Sequence, residues 1–161
     1  MPILLARIDD RLIHGQVAHG WGRALNPTLL AIVSDRLRQS PAEAELYLIA
    51  VPEGAESVTV SVDEALGGPF RSRIEAARTV LLFPGTSEPT QLVERGFPLE
   101  EVNVGGLHFA PGKREVLPYV YLDDDDRARL LRLLARGVRV VAQDLPSNTA
   151  HPMGPLLGSA H

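Results

Sequence analysis

The sequence has no cysteine and no long apolar run. The absence of cysteine among the 161 residues excludes thiol catalysis, thiolate metal sites and disulfide frameworks, and it fits a reducing compartment. Acidic residues come as early as Asp9 and Asp10, and no stretch approaches the roughly 18 consecutive apolar residues of a membrane helix. We therefore expect a cytoplasmic protein with neither a secretory signal nor a membrane span.

An excess of basic residues is also missing, since 16 Lys and Arg stand against 20 Asp and Glu. The negative net charge opposes attraction of nucleic acid, so we expect no nucleic-acid partner. Apolar residues make up 45% of the chain and charged residues 22%, values that are typical of a globular protein. The length is that of one domain with a single core.

Several catalytic motifs are absent as well, among them the Walker A loop, GxGxxG, GxSxG and HExxH. His14 and His19 are five residues apart, which places them on different faces of a helix and argues against a shared metal. The sequence implies no metal and no organic cofactor. We expect His19 at the surface or in packing contacts, and Trp21 between a helix and the sheet.

Short apolar and β-branched runs predict strands that alternate with helices. The predicted strands are Ile3 to Ile8, Thr28 to Ser34, Ser57 to Val62, Thr79 to Pro84, Glu100 to Gly106, Glu115 to Leu122 and Val138 to Gln143. Pro118 interrupts the sixth of these and favours an edge position. The alternation predicts a single-domain α/β fold with a mostly parallel, doubly wound sheet of six or seven strands, helices on both faces and room for one antiparallel edge strand.

Other signals mark helix starts and the end of the domain. Ser40, Pro41 and Glu43 predict a helix start with a capping box. The acidic run at residues 123–126 favours the positive end of another helix and needs no metal to explain it. Residues 147–161 are rich in Pro, Gly and Ser without periodicity, so we expect an extended or disordered tail after a domain of residues 1–146.

Charged groups crowd around the first predicted turn, in the stretch ARIDDRLIHGQVAHGW. This stretch follows the first strand, where open α/β sheets bind ligands. His14 and Gly15 fall at the start of the next helix, where free backbone amides attract anions. Arg7 and Arg11 offer planar guanidinium groups that match phosphoryl oxygens, and their charge favours a neutral, nucleophilic imidazole.

Asp9 and Asp10 act in the opposite direction, and either can orient the His14 ring and fix its tautomer by accepting a hydrogen bond from one ring nitrogen. A lone histidine after a strand is more often a loop or core residue than a nucleophile. The residues alone therefore leave both interpretations of His14 open.

The stretch RIDDRLIHGQVAHGW closely resembles the active-site signature of the IIB component of the mannose/fructose/sorbose family in the bacterial phosphoenolpyruvate-dependent sugar phosphotransferase system. The resemblance continues through IVSDRL, NVGGLHF and GVRVVAQDLP and spans roughly residues 1–146. It implies a protein-N(pi)-phosphohistidine–sugar phosphotransferase. In that family the histidine that matches His14 takes a phosphoryl group from a IIA phosphohistidine on its Nδ1 atom and passes it to the sugar entering through the permease.

The resemblance also implies that Arg11 and the loop backbone hold the phosphoryl group. The residues that we expect to support it are Arg7, Asp9, Asp10, Leu12, Ile13, Gly15, Asp35, Asn103, Gly105 and Gly106. Asn103 and the two glycines suit a loop that closes over the site, although the glycines can equally serve positive φ angles. The chain departs from the family after Asp35, where it lacks an Asn-Asp pair, and this departure bears on partner docking or phosphoryl geometry.

The implied partners are a IIA phosphocarrier protein or domain, the membrane IIC and IID permease components and a sugar, with membrane association through the permease. The identity of the sugar and the oligomeric state, a homo-oligomer included, stay open. One alternative is a regulatory phosphoprotein or binding module with the same fold that does not support sugar transport. Another is an unrelated binder of sugar phosphates or nucleotides that uses the same helix start.

Overall fold

The computed structural model describes residues 3–158, and strands alternate with helices along this part of the chain. The strands are β1 (Ile3–Asp9), β2 (Leu29–Val33), β3 (Glu56–Val60), β4 (Thr79–Phe83), β5 (Glu101–Gly106), β6 (Arg114–Leu117), β7 (Val120–Leu122), β8 (Arg139–Ala142) and β9 (His151–Pro152). The helices are a π-helical turn (Gln16–Trp21) that continues into α1 (Gly22–Leu25), then α2 (Asp35–Arg38), α3 (Pro41–Leu48), α4 (Val62–Ala65), α5 (Gly68–Glu75), α6 (Ser87–Glu94), α7 (Asp124–Ala135) and α8 (Gly154–Gly158).

Within residues 3–158, seven strands form one sheet in the order β3-β2-β4-β1-β5-β8-β9. The first six run parallel, and β9 pairs antiparallel with β8 at one edge. The predicted α/β class, the mostly parallel sheet and its antiparallel edge strand are therefore confirmed. None of the helices in this range is both long and apolar enough to span a bilayer.

The sheet is buried on both faces, and β2 shows this directly because all five of its residues are buried. Leu30 and Ile32 belong to one apolar cluster, whereas Leu29 and Val33 belong to a second. Since side chains alternate between the two faces of a strand, the two clusters lie on opposite faces of the sheet. This explains why the central strands read as nearly continuous apolar runs.

The connections after β1 and β5 leave toward opposite faces. The helical segment after β1 packs Val17 and Trp21 into the first cluster, while α7, which follows β5 and the β6–β7 hairpin, packs Leu130 and Leu133 into the second. Because β1 and β5 are neighbours in the sheet, their carboxyl ends form the topological switch point at which open α/β sheets bind ligands.

Two predicted strands are wrong in detail. The stretch 115–122 does not join the main sheet but forms a separate antiparallel hairpin of β6 and β7, with Pro118 in the turn, where it needs no backbone N–H. The strand predicted over residues 57–62 ends at Val60, because the Ser61 and Glu64 side chains form a capping box that begins α4. The spacing of Ser61 and Glu64 is itself the sequence pattern of a capping box.

The predicted capping box at Ser40 is also wrong. Helix α3 begins at Pro41 as predicted, but the Ser40 side chain makes no capping hydrogen bond. Glu43, the other predicted member, instead accepts a hydrogen bond from Arg36 Nη1 at 2.6 Å. The Glu43 carboxylate thus forms a tertiary ion pair with Arg36 in place of the predicted capping box with Ser40.

The structure differs from the expected tail over residues 151–158. Here β9 pairs with β8 and α8 follows, with Met153 and Leu157 buried in the second apolar cluster. Two apolar side chains four residues apart are enough to dock one helical turn, although they are too few to produce a periodic pattern. Residues 159–161 of the expected tail lie outside the described residues.

Candidate functional site

The candidate site is the loop of residues 9–15 that connects β1 to the following helical segment. Leu12 adopts a left-handed conformation, with φ of 54°, and its N–H donates to the Asp9 carbonyl at 2.9 Å. The Leu12 and Ile13 side chains are buried in the first apolar cluster. These two anchors fix a tight turn and leave the next residue, His14, at the surface edge with 18% of its side chain exposed.

Asp9 is the centre of the charged groups in this loop, and its side chain is fully buried. Its Oδ1 accepts hydrogen bonds from Arg11 N at 3.0 Å and Arg11 Nε at 3.1 Å. Its Oδ2 accepts from Arg11 Nη2 at 3.1 Å and from Arg7 Nη2 at 3.3 Å. A buried carboxylate held by two guanidinium groups fixes the positions of both arginines.

Arg7 lies beneath the loop rather than in it, with no exposed surface. Its Nη1 donates to Asn103 Oδ1 and to the Gln143 carbonyl, both at 2.8 Å, and its Nη2 donates to the Asp144 carbonyl at 2.9 Å. Burial lowers the pKa of the Arg7 guanidinium, and the Asp9 carboxylate acts in the opposite direction. Arg7 thus ties β1 to the ends of β5 and β8 and presents no face to a phosphoryl group, contrary to the expected direct contact.

Asn103 and the double glycine do not form a loop that closes over the site. Asn103 is buried in β5 and holds Arg7, and neither glycine has a positive φ. A Cβ atom at Gly105 would lie 1.9 Å from Arg7 Cζ, and one at Gly106 would lie 3.1 Å from Arg11 Nη2. The glycines are needed because two guanidinium groups cross the end of β5, not because of backbone conformation.

Both ring nitrogens of His14 face protein atoms. Nδ1 lies 2.9 Å from the Leu12 carbonyl oxygen, which can only accept, so a neutral ring in this position carries its proton on Nδ1. Nε2 is buried, makes no hydrogen bond within the described part of the chain and lies 3.7 Å from Asp9 Oδ2. The separation is an ion-pair distance for a protonated ring but too long for a hydrogen bond.

The helical segment after His14 begins at Gly15, which is exposed and has helical φ and ψ values of −52° and −44°. No side chain caps this start. The first turn continues as the π-helical turn, a distortion that occurs often at functional sites. Backbone N–H groups at an uncapped helix start are of the kind that attract anions, and the anion site expected here from the sequence stays a prediction.

His108 belongs to the site and was missed by sequence reasoning. Asp10 Oδ2 accepts from the His108 backbone N–H at 2.7 Å, and Asp10 Oδ1 lies 2.6 Å from His108 Nδ1. Asp10 N also donates to the Gly106 carbonyl at 3.0 Å. Asp10 therefore joins the His14 loop to the end of β5 instead of orienting the His14 ring. The signal available in the sequence was a histidine two residues after the glycine pair.

Asp35 lies away from the His14 loop, whereas Trp21 and His19 lie where the sequence predicts them. Asp35 is not brought to the His14 loop, because its Oδ1 accepts from Val62 N at 2.8 Å and so connects α2 to α4. Trp21 is buried as predicted, with Arg7 Cζ 5.2 Å from its ring centroid and its Nε1 donating to the Asp144 carbonyl at 3.0 Å. His19 lies exposed on the π-helical turn, one of the two positions predicted for it.

Known proteins resemble this chain over nearly its whole length. The sequence model of the family described as "PTS system sorbose subfamily IIB component" matches residues 3–161. The fructose-specific EIIB component of the phosphotransferase system of Bacillus subtilis is 33% identical over 150 residues, which cover 93% of this chain and 92% of that protein.

Solved structures show the same similarity. The IIBSor domain of the sorbose permease from Klebsiella pneumoniae superposes with a TM-score of 0.87 at 27% identity, covering 100% of this chain and 99% of that one. A structure titled "phosphoenolpyruvate-dependent phosphotransferase system" reaches a TM-score of 0.91 at 31% identity, with both chains fully covered. The chain belongs to the sorbose subfamily of IIB components of the sugar phosphotransferase system.

Proposed function

We propose that this chain is a phosphocarrier in which His14 receives a phosphoryl group from a phosphohistidine on a IIA protein or domain. The observation that carries the proposal is the position of His14. Its ring is partly exposed, it stands immediately before an uncapped helix start, and it lies beside the Asp9–Arg11 pair. A nucleophile, backbone amides and a guanidinium group thus converge on one edge of the sheet, which suits in-line phosphoryl transfer.

In the first step a ring nitrogen of His14 attacks phosphorus, a new N–P bond forms, and the N–P bond of the donor breaks with its electron pair returning to the donor imidazole. Arg11 contributes charge and hydrogen bonds near the equatorial oxygens, and Asp9 fixes the plane of its guanidinium group. The backbone N–H groups at the helix start after His14 donate hydrogen bonds to the remaining oxygens. Phosphoryl transfer needs this positioning and charge more than covalent assistance.

Phosphorylation of His14 on Nδ1 requires its ring to change position. Family resemblance points to Nδ1, but in the resting structure Nδ1 faces the Leu12 carbonyl. We infer that the ring leaves this carbonyl and that its proton moves to Nε2, where the Asp9 carboxylate stabilises it. In the second step, loss of the phosphoryl group from Nδ1 then leaves a neutral imidazole, and the sugar oxygen takes the phosphoryl group while its hydroxyl proton passes to solvent.

The names of relatives support the downstream half of the proposal. They are components specific for fructose, sorbose, mannose and N-acetylgalactosamine. We propose that this chain likewise passes its phosphoryl group to a sugar delivered by membrane permease components.

The test is a labelling experiment on the full chain with radioactive phosphoenolpyruvate and the upstream carrier proteins. We expect an acid-labile, base-stable label that disappears in His14→Ala and persists in the matched control His19→Ala, which alters an exposed histidine five residues away. Two-dimensional ¹⁵N NMR of the ring then identifies the phosphorylated nitrogen. A label of equal strength on His14→Ala would overturn the proposal, and a stable phosphoprotein that forms no sugar phosphate with permease membranes would favour the regulatory alternative.

A further inference from the structure

The two edges of the seven-stranded sheet differ in how they are protected against pairing. Strand β9 ends the sheet on one side with only two residues, of which Pro152 has no backbone N–H to offer. Strand β3 ends it on the other side with five residues, and the middle three, Ser57, Val58 and Thr59, are neither charged nor proline. Short length, charge and proline are the usual means of preventing an edge strand from pairing. The β3 edge therefore stays open to another strand.

The backbone groups that face this open edge belong to Ser57 and Thr59. At the two ends of β3, the Glu56 N–H and the Val60 carbonyl each bond to the chain flanking β2, both at 2.9 Å. Alternate residues of a strand bond to the same parallel neighbour, so Glu56, Val58 and Val60 face β2. The two residues between them face away, and they present two N–H and two carbonyl groups to the open edge.

An antiparallel second copy of β3 satisfies all four of these groups. With a two-fold axis at Val58, Ser57 of each copy lies opposite Thr59 of the other, and each such pair exchanges both hydrogen bonds. The two Val58 side chains then form the close, non-hydrogen-bonded pair at the centre. We infer that β3 is the interface through which two copies of this chain form a dimer with one continuous sheet.

An apolar groove beside β3 supplies surface for such a dimer to bury. Val58, Val60, Pro69 and Phe70 line a cavity of about 330 Å³ on one face of the sheet. Residues that lie opposite each other in an antiparallel pair share a face, so the valines of the two copies would join their grooves into one apolar surface. Burial of this surface adds to the four backbone hydrogen bonds, whose net contribution alone is modest.

The charges at the two ends of β3 are complementary under the same symmetry. Arg73 pairs with Glu56 at 3.1 Å at the start of the strand, and Arg38 pairs with Glu64 at 2.8 Å just beyond its end. All four side chains are exposed. An antiparallel pairing brings the start of one strand to the end of the other, so two neutral ion pairs meet at each end. No like charges are forced together, and the exposed side chains can exchange partners between the copies.

The proposed interface leaves the His14 loop uncovered. Strands β2 and β4 lie between β3 and β1, so at roughly 4.8 Å per strand the end of β1 is about 14 Å from the open edge. An antiparallel pairing also points the carboxyl ends of the two sheets in opposite directions. Each His14 therefore stays accessible, and dimerisation is independent of the proposed function.

The first test is the mass of the full chain in solution, measured by sedimentation equilibrium from about 1 µM to about 1 mM. We expect the mass to rise from the 17.5 kDa of one chain toward twice that value. The interface is small, so the dissociation constant should be on the order of 10–100 µM. Thr59→Pro removes an outward N–H but no bond to β2, and it should stay monomeric. The matched control Thr59→Ala keeps this N–H and should dimerise within about threefold of the unaltered chain.

The second test uses the absence of cysteine from the sequence. Val58→Cys places two thiols across the two-fold axis, where the Cα atoms of a non-hydrogen-bonded pair are about 4.5 Å apart, within the span of a disulfide. Mild oxidation should link most of this variant into dimers. Ser57→Cys is the matched control, because its two copies would have Cα atoms about 8 Å apart and should crosslink at least about tenfold more slowly.

Several results would refute the dimer. One is a chain that keeps the mass of a single copy up to about 1 mM, and another is a Thr59→Pro variant that dimerises as Thr59→Ala does. Equal crosslinking of Val58→Cys and Ser57→Cys would refute the antiparallel register. Circular dichroism identifies a variant that fails to fold. In that case amide exchange of the unaltered chain decides, because Ser57 and Thr59 should exchange more slowly at about 1 mM than at about 10 µM.

The same measurements separate the dimer from other occupants and from phosphoryl transfer. Protection of the Ser57 and Thr59 amides that requires an added IIA protein would assign the edge to that partner and refute the second copy. His14→Ala should dimerise as the unaltered chain does, and Thr59→Pro should be labelled on His14 at the unaltered rate. A monomer that is labelled refutes only the dimer, whereas a dimer that is not labelled refutes only the phosphocarrier.

Discussion

The connections that follow β1 and β2 leave the same edge of the sheet, but they use their polar residues differently. After β2, Ser34 caps α2 by accepting from Leu37 N at 3.2 Å, and Asp35 accepts from Val62 N at 2.8 Å. After β1, the carboxylate of Asp9 binds arginine side chains, and the helix start at Gly15 has no side-chain cap. The helix start after β2 thus has a side-chain cap, whereas the helix start after β1 has none among the described residues.

The same comparison explains why so many titrating groups crowd into the first turn. A buried carboxylate with two arginines is weak evidence for stability, because desolvation of the charges offsets much of their attraction. Local caps such as Ser34 are the simpler way to stabilise a helix start. The charged arrangement after β1 therefore indicates a requirement for geometry: Asp9 holds Arg11 beside His14, and Arg7 holds Asp9 from below.

The largest effect should come from Asp9→Asn, which removes the negative charge shared by Arg7 and Arg11. Because Arg7 is fully buried, its charge would lose its counter-ion, and we expect a loss of about 3–5 kcal/mol in the free energy of unfolding. Urea denaturation measures it. Asp10→Asn is the matched control, with a loss of about 1 kcal/mol, since its carboxylate is partly exposed. Similar losses of unfolding free energy in the two variants would show that the buried Asp9 carboxylate contributes no more to stability than the partly exposed Asp10 carboxylate.

The next effect separates the two glycines. Gly105→Ala places its Cβ 1.9 Å from Arg7 Cζ, in a buried network that has no room to move, so we expect a loss of about 3 kcal/mol in stability. Gly106→Ala meets the flexible end of Arg11 at 3.1 Å and the Asp9 carboxylate, whose Oδ1 would lie at 3.3 Å, and it should lose about 1 kcal/mol. The second variant should instead slow His14 phosphorylation about tenfold by displacing Arg11. Equal stability of the two variants contradicts the steric account of Gly105.

A smaller effect tests the β2 connection directly. Ser34→Ala removes the cap of α2 and should lower the free energy of unfolding by about 1 kcal/mol. The rate of His14 phosphorylation should equal that of the unaltered chain, because Ser34 acts only on its own helix. A slower rate would mean that the β2 connection takes part in the reaction and that the contrast between the two connections fails. Thermal unfolding and the labelling assay together provide the measurement.

Local sequence signals predicted most strands of the main sheet and placed His14 after β1, but they did not predict the β6–β7 hairpin, the docked α8 or the partners of the residues around His14. The nearly continuous apolar run of β1 predicted its burial in the sheet. The guanidinium of Arg7, in contrast, binds carbonyl groups 136 and 137 residues away, and His108 meets Asp10 across 98 residues. Periodicity and capping describe neighbours along the chain, so they carry no information on which long side chain crosses which strand end.

The two glycines and the tail show the same limit. A glycine pair reads as a turn signal, yet here the reason is a guanidinium group from another strand that needs the space. The docked turn at α8 depends on Met153 and Leu157 meeting a core assembled by the rest of the chain. Both features depend on tertiary packing, which overrides local preference.

The smallest effect concerns a third connection at this edge, between β4 and α6. Burial, and then the nearby Asp35 carboxylate, raise the pKa of Glu88, and its Oε1 is buried without a hydrogen-bond partner among residues 3–158. A carboxyl group whose pKa is raised by folding ionises more readily in the unfolded chain. Its contribution to stability is therefore complete below the unfolded pKa and is lost as the pH rises through the folded pKa.

Glu88→Gln removes this pH-dependent loss, so we expect its Tm to exceed that of the unaltered chain by about 2 °C at about pH 7 and to match it at about pH 4. The matched control is Glu75→Gln, an exposed glutamate at the end of α5, whose Tm should follow the unaltered chain at both pH values. Differential scanning calorimetry at the two pH values measures the difference. A Tm gain of the same size at both pH values would contradict this account, because it would show that the substitution acts through packing rather than through ionisation of Glu88 near Asp35.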